Sequence, residues 1–166
     1  LDDSIKCDVC GKGKFRRKKV ARHDVSSLVG LEGVALIGAP ALVCSSCGAV
    51  MLEGGALDEA TEALTLMLVE QGDPLTAGEV RYLRRVLEMT QAELAERIGL
   101  HRTTVARWEI GEVPIGQAES MALRALVAMQ LVAERPNLAK EPAAKFARPG
   151  VARATPPYEI KLGAAG

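Results

Sequence analysis

Two copies of one five-residue pattern, Cys7-Asp-Val-Cys10-Gly11 and Cys44-Ser-Ser-Cys47-Gly48, restrict the first third of this chain more than any other feature. They hold all four cysteines of the 166 residues. Two residues between cysteines let a tight turn aim both sulfurs at one point. The glycine that follows removes the Cβ where the turn needs an unusual backbone angle. Four such thiolates complete a tetrahedron around a zinc ion, with Zn–S near ~2.3 Å, and leave no coordination position open. The expected role of Cys7, Cys10, Cys44 and Cys47 is therefore structural. The 33 residues between the pairs exceed the usual spacing of about 15–20, so one or two extra hairpins are expected there. The β-like runs Lys18–Val20, Val34–Ile37 and Ala41–Val43, punctuated by Gly30, Gly33, Gly38 and Pro40, can supply them.

Two disulfides, or a redox-active C-x-x-C centre, are the alternatives. No basic stretch followed by an apolar core opens the sequence, so no secretory signal is expected, and no βαβ pattern accompanies the cysteines. Both observations favour metal. A unit of about 53 residues with few large apolar side chains also buries too little surface to be robust alone. Zinc binding of roughly 10–16 kcal/mol would offset that deficit. His23 is a substitute ligand in principle, but four sulfurs already saturate the ion, and a solvated loop histidine is expected.

The second half reads as helices. Thr76-Ala-Gly-Glu79 and Thr90-Gln-Ala-Glu93 both match the capping box, in which hydroxyl and carboxylate each satisfy one orphan N–H at a helix start. Val80, Leu83, Val86 and Leu87 share a face of the first helix; Leu94, Ala95 and Ile98 share one in the second, which Gly99 ends. A third helix is predicted from about Arg102 to Glu109, stopping near Gly111. Only Gly99-Leu100-His101 separates it from the second, the arrangement of a helix-turn-helix whose second helix enters the major groove. Val105 and Trp108 fall inward, while Thr103, Thr104 and Arg107 fall outward, with Arg102 near the exposed start. Arg107 suits a guanine edge, the threonines suit thymine methyls or phosphates, and Gln91 suits a phosphate. His101 is expected to be a turn residue at that helix start. The bland alternative is a helical hairpin with a solvated basic face.

From Gln117 to Glu134 the sequence is apolar nearly all round, more than one small domain can cover, and homodimerisation is the simplest source of a covering surface. Two readers would then sit on half-sites about one DNA turn, ~34 Å, apart or a multiple of it. Charge is segregated although the 21 basic and 21 acidic residues cancel. Lys12, Lys14, Arg16, Arg17, Lys18, Lys19 and Arg22 form an uninterrupted basic run, whereas Asp58, Glu59, Glu62, Glu70, Asp73 and Glu79 follow without Lys or Arg. The basic run fits a strand facing a protein or nucleic-acid partner, or simply a solvated face. The acidic stretch, with Leu57, Ala60, Leu64, Met67 and Leu68 along one side, reads as a linker helix. Residues 135–166 carry five of the eight prolines and read as an irregular tail.

No apolar stretch approaches the roughly 18–20 residues of a membrane span. The two histidines, His23 and His101, lie beside no nucleophile motif, and no Gly-rich phosphate loop or open metal site is visible. Neither an enzyme, a small-molecule substrate nor a membrane partner is expected. The fold class expected is α+β: a small β-rich zinc-binding domain (1–53), a linker helix and hinge (54–75), an all-α helix-turn-helix domain (76–138) and a Pro/Ala-rich tail (139–166).

The C-x-x-C-G pairs, joined to the stretch Thr90-Gln-Ala-Glu-Leu-Ala-Glu-Arg-Ile-Gly-Leu-His-Arg-Thr-Thr-Val-Ala-Arg-Trp-Glu-Ile-Gly111, resemble the MqsA-type antitoxins of bacterial type II toxin–antitoxin systems, also described as YgiT-type zinc-finger proteins. The second half alone resembles the Xre/Cro-type repressors. The resemblance covers about residues 5–138. It implies a zinc-bearing domain that neutralises a cognate toxin, commonly an mRNA-cleaving ribonuclease, and a dimeric domain that represses its own operon at palindromic operator DNA in the bacterial cytoplasm. By position, Cys7, Cys10, Cys44 and Cys47 match the zinc ligands, and Thr103 and Arg107 the base-reading positions. Thr103 stands where the best-known member has an amide, so the operator sequence is not carried over, and the tail has no counterpart. A stand-alone zinc-finger repressor without a toxin is the alternative. An RNA-binding or redox-active zinc ribbon, its helical half serving assembly, is a third reading.

Overall fold

Strand β2 (Val34–Cys44) organises the first part of the molecule. The computed structural model describes residues 5–134 and 156–162. Along one edge of β2 runs β1 (Phe15–Asp24), antiparallel from Phe15↔Cys44 to Asp24↔Ala35. The other edge is shared: β3 (Val50–Leu52) pairs antiparallel with Ala41–Val43, and β4 (Tyr158–Lys161) pairs parallel with Val34–Ile37. Both neighbours make β2 a central strand, and its apolar run is the composition such a strand needs. A single turn of helix, α1 (Ser26–Val29), joins β1 to β2.

Two details differ from expectation. Val34–Ile37 and Ala41–Val43 are not separate runs but one continuous strand, so the long spacing between cysteine pairs is filled by one extended hairpin. Gly38, at φ +70°, and Pro40, which has no N–H, lie between the stretch paired by β4 and the stretch paired by β3. They interrupt the second edge and leave the strand itself intact. The tail, expected to be irregular, contributes β4. Tyr158 and Ile160 are 2% and 3% exposed and alternate with exposed Glu159 and Lys161, the period-two pattern of a half-buried strand. Four residues are too short for that pattern to stand out, and the partner lies more than a hundred residues earlier. The remainder of the expected tail, 139–155 and 163–166, lies outside the described residues.

By its contacts the chain divides into two units, and helix α2 (Ala56–Glu70) runs from one into the other. The sheet unit takes residues 33–63 and 157–162 with the N-terminal hairpin; the helical unit takes 64–134 and the short segment 30–32. Together they make an α+β fold. No described helix is long and apolar enough to cross a membrane.

The helical unit contains α3 (Ala77–Val86), α4 (Gln91–Arg97), α5 (Arg102–Glu109) and α6 (Gln117–Glu134). Both capping boxes form: Thr76 N donates to Glu79 Oε2 at 2.6 Å and Thr90 N to Glu93 Oε2 at 2.7 Å, with each threonine hydroxyl accepting in return. That bond from the Thr90 N–H also holds the Glu93 carboxyl below its ordinary range. Gly99, at φ +72°, turns the chain between α4 and α5. Val80, Leu83, Leu94, Ala95, Val105, Trp108, Leu123 and Val127 form the core.

Helix α6 departs from an all-apolar reading. Arg124 is fully buried, and its guanidinium donates to the carbonyls of Leu68 (2.8 Å) and Asp73 (2.5 Å). Buried Ser120 accepts from Leu75 N at 3.0 Å. These polar groups satisfy the end of α2 and the connector after it, which otherwise would bury carbonyls and an amide without partners. On another side of α6, Met121 and Met129 are 43% and 69% exposed.

Candidate metal centre and nucleic-acid interface

In the sheet unit both C-x-x-C-G segments fold into the same turn. Gly11 N donates to Cys7 O (2.8 Å) and Gly48 N to Cys44 O (3.1 Å), and both glycines have positive φ, +66° and +74°. Strand pairing then brings the two turns together, because Phe15 lies opposite Cys44. Cys7 Sγ sits 3.7 Å from Cys47 Sγ, and Cys10 Sγ 3.8 Å from Cys44 Sγ. All four sulfurs lie within 4.8 Å of one another. A disulfide would need about 2.05 Å. A tetrahedral ion with Zn–S near ~2.3 Å would space its sulfurs by about 3.8 Å, the separation of the Cys7–Cys47 and Cys10–Cys44 pairs. The four cysteines can therefore hold a metal ion.

Backbone amides prepare some of these sulfurs for charge. Gly13 N points at Cys10 Sγ (3.5 Å), and the amides of Ser46 and Cys47 point at Cys44 Sγ (3.4 and 3.5 Å). The N–H groups of Gly13 and Lys12 pull the Cys10 thiol down to about 6, and those of Cys47 and Ser46 lower Cys44. Cys47 moves the other way. Although Ala49 N–H favours its thiolate, desolvation and the three neighbouring sulfurs push it up to about 12. Such a cluster resists complete ionisation until a cation supplies the compensating charge. Phe15, Leu42 and Ala49 pack around buried Cys7 and Cys44. Gly13 carries a constraint that the motif alone did not disclose: a Cβ there would lie 2.5 Å from Cys44 Sγ and 2.9 Å from Ser46 N. His23 is outside the cluster. It pairs with Leu36, eight residues along β2 from Cys44, roughly 26 Å at strand rise.

On β1 beside this centre, Arg16, Arg17, Lys18, Lys19 and Arg22 are exposed. Arg17 Nε pairs with Glu53 at 2.5 Å and Arg22 Nε with Glu159 at 3.7 Å.

In the helical unit, Val105 and Trp108 are buried and Arg102, Thr103 and Arg107 are exposed on α5, as the helical spacing predicts; Thr104 is half-buried. Arg107 Nε bonds Glu112 Oε1 at 2.9 Å, with both side chains about half exposed. A pair of that kind is worth about 0.2–1 kcal/mol, weak enough for a base edge to compete. Gln91, expected to reach a phosphate, is half-exposed and donates Nε2 to Glu109 Oε2 at 3.0 Å. The cause is a buried carboxylate that gathers donors. Glu109 is 4% exposed and accepts from Arg84 Nε (2.5 Å) and Nη2 (3.1 Å), while Arg81 Nη2 donates to its carbonyl. Burial alone would raise the Glu109 carboxyl; the bonds from Arg84 and Gln91, with the charges of Arg84 and Arg81, hold it below its ordinary range instead. This network anchors the end of α5 to α3 and the start of α4. The sequence reading missed it because residues 84, 91 and 109 are too far apart for any local pattern.

His101 is the N-cap of α5. Its Nδ1 accepts from Thr103 N at 3.4 Å and lies 2.9 Å from Thr103 Oγ1.

No curated protein matches the chain. A helix-turn-helix family model matches residues 80–124, from α3 into α6, so a helix-turn-helix domain of the kind found in DNA-binding transcription regulators accompanies the four-cysteine cluster.

Proposed function

We propose that this chain is an autoregulating antitoxin of the MqsA type acting in the bacterial cytoplasm. The sheet unit holds structural zinc through Cys7, Cys10, Cys44 and Cys47 and captures a cognate toxin, an mRNA-cleaving ribonuclease. The helical unit, as a homodimer, binds palindromic operator DNA and represses its own operon. The observation that carries this reading is the conjunction in one chain of sulfurs at tetrahedral spacing and a helix-turn-helix with Arg102, Thr103 and Arg107 outward on its second helix.

Each part has a physical task. A zinc ion held by the four cysteines would stiffen a sheet whose central strand buries Ala35, Ala39 and Ala41, so that a protein partner meets a preformed surface. Helix α5 enters the major groove. Arg107 leaves Glu112 to donate a bidentate pair to a guanine edge, worth about 1–3 kcal/mol of discrimination, and Arg102 and Thr104 meet phosphates beside it. Gln91 acts at one remove by fixing Glu109, and reaches a phosphate only with its second Nε2 hydrogen. Exposed Met121 and Met129 on α6 support a dimer that buries them. Acidic residues on a toxin would complement the charge of β1.

Co-expression with the adjacent open reading frame tests the whole. The expected result is a complex that co-purifies and suppresses ribonuclease activity. Operator binding without any co-purifying protein would leave a stand-alone repressor, and failure to bind any duplex from its own locus would reject the DNA-binding half. Arg107→Ala should weaken specific binding about tenfold or more while zinc content and toxin capture stay unchanged.

A further inference from the structure

We propose that His101 sets the hydrogen-bonding polarity of Thr103, so that Thr103 meets DNA as an acceptor only; the inference rests on α5 being the base-reading helix. Two bonds converge on one imidazole nitrogen. Thr103 N donates to His101 Nδ1 at 3.4 Å, the contact that assigns the neutral ring with its proton on Nε2 and turns the one lone pair of Nδ1 toward Thr103. Thr103 Oγ1 lies 2.9 Å from the same nitrogen. With Nδ1 an acceptor, the hydroxyl must be the donor of that bond, and its single proton is committed to His101. What exposed Thr103 presents outward is therefore its oxygen lone pairs and its methyl group.

This has a consequence for readout. A free threonine hydroxyl rotates and either donates or accepts, so it discriminates poorly between bases. A hydroxyl pinned by His101 can only accept. In the major groove the matching donors are adenine N6 and cytosine N4, and guanine O6 and thymine O4 are rejected because two acceptors would face each other. His101 is thus a positioning residue for specificity as well as a helix cap.

In vitro selection from a pool of randomised duplexes, with sequencing of the enriched sites, separates the two roles. His101→Gly keeps a residue favoured at an N-cap but removes the acceptor; His101→Asn restores one; Thr103→Val removes the hydroxyl isosterically. The wild-type motif should carry adenine or cytosine at one position per half-site. His101→Gly should relax preference there about fivefold and nowhere else, Thr103→Val should relax the same position, and His101→Asn should recover it. An unchanged motif in His101→Gly, changes at positions that Thr103→Val does not affect, or a uniform loss across the site would overturn the assignment. If the wild-type chain enriches no motif while remaining folded by circular dichroism, the DNA reading itself fails and takes this inference with it.

Discussion

The two units of this chain solve the same problem by different means. In the sheet unit the fully buried positions of the central strand are largely small, Ala35, Ala39 and Ala41 beside Val34 and Leu36, and the long hairpin partner β1 is mostly exposed and basic. In the helical unit Leu83, Leu94, Leu123, Val80, Val105 and Trp108 fill a core of large side chains, and the helix starts are capped in their own sequence. One unit gathers four sulfurs from the two ends of a long hairpin, where a metal ion can cross-link them; the other rests on packed large side chains and capped helix starts. Damage should therefore stay within the unit where it is inflicted.

The largest effect is expected from the sulfurs. If the four cysteines hold zinc as proposed, Cys44→Ser should abolish its binding and, with roughly 10–16 kcal/mol of binding free energy at stake, unfold the sheet unit. Metal analysis and limited proteolysis should find no zinc and cleavage within 5–53, with residues 80–124 protected. Next comes Glu109→Ala, which leaves Arg84 and Arg81 facing a buried site without their carboxylate. Loss of one partner of a buried pair costs about 3–5 kcal/mol, discounted here because Arg81 is partly exposed. Urea unfolding should place that loss in the helical unit, with zinc retained.

The same carboxylate fixes a pH dependence. Its folded pKa lies below the ordinary 4.5, so the unfolded chain binds the proton more readily. The stabilisation is complete above the unfolded value and is lost as pH falls through the folded one. Melting of the helical unit should decline below about pH 4.5, and Glu109→Gln should flatten that decline.

Tyr158→Ala sharpens the comparison from the far end of the sequence. It empties a buried position on β4 and should cost about 3 kcal/mol of sheet-unit stability, although it follows the entire helical unit in the chain. Hydrogen exchange at Val34–Ile37 is the readout. The smallest effect is Thr90→Ala, about 1 kcal/mol from one helix cap, measurable as a shift in the urea midpoint of the helical unit alone.

What the sequence disclosed follows the range of the interactions. Capping boxes, the turn at Gly99 and the inward pair Val105 and Trp108 depend on neighbours within four residues, and each appears where spacing predicts it. The cysteine cluster spans the hairpin yet was legible, because the repeated motif advertises a shared centre. The features that were not legible join distant segments by geometry alone. β4 finds β2 across the helical unit, Arg124 caps the end of α2, and Gln91 meets Glu109 because Arg84 has already drawn that carboxylate inward. Arg124 was hidden inside an apolar run for a related reason. A single cation among leucines and valines looks like an interruption until the carbonyls it serves are known.

Hydrogen exchange of the 166-residue chain, before and after treatment with a metal chelator, tests the division between the units most directly. The account predicts that protection collapses across β1, β2 and β4 while α3 to α5 exchange as before. Loss of protection in both units together, or none in either, would contradict it.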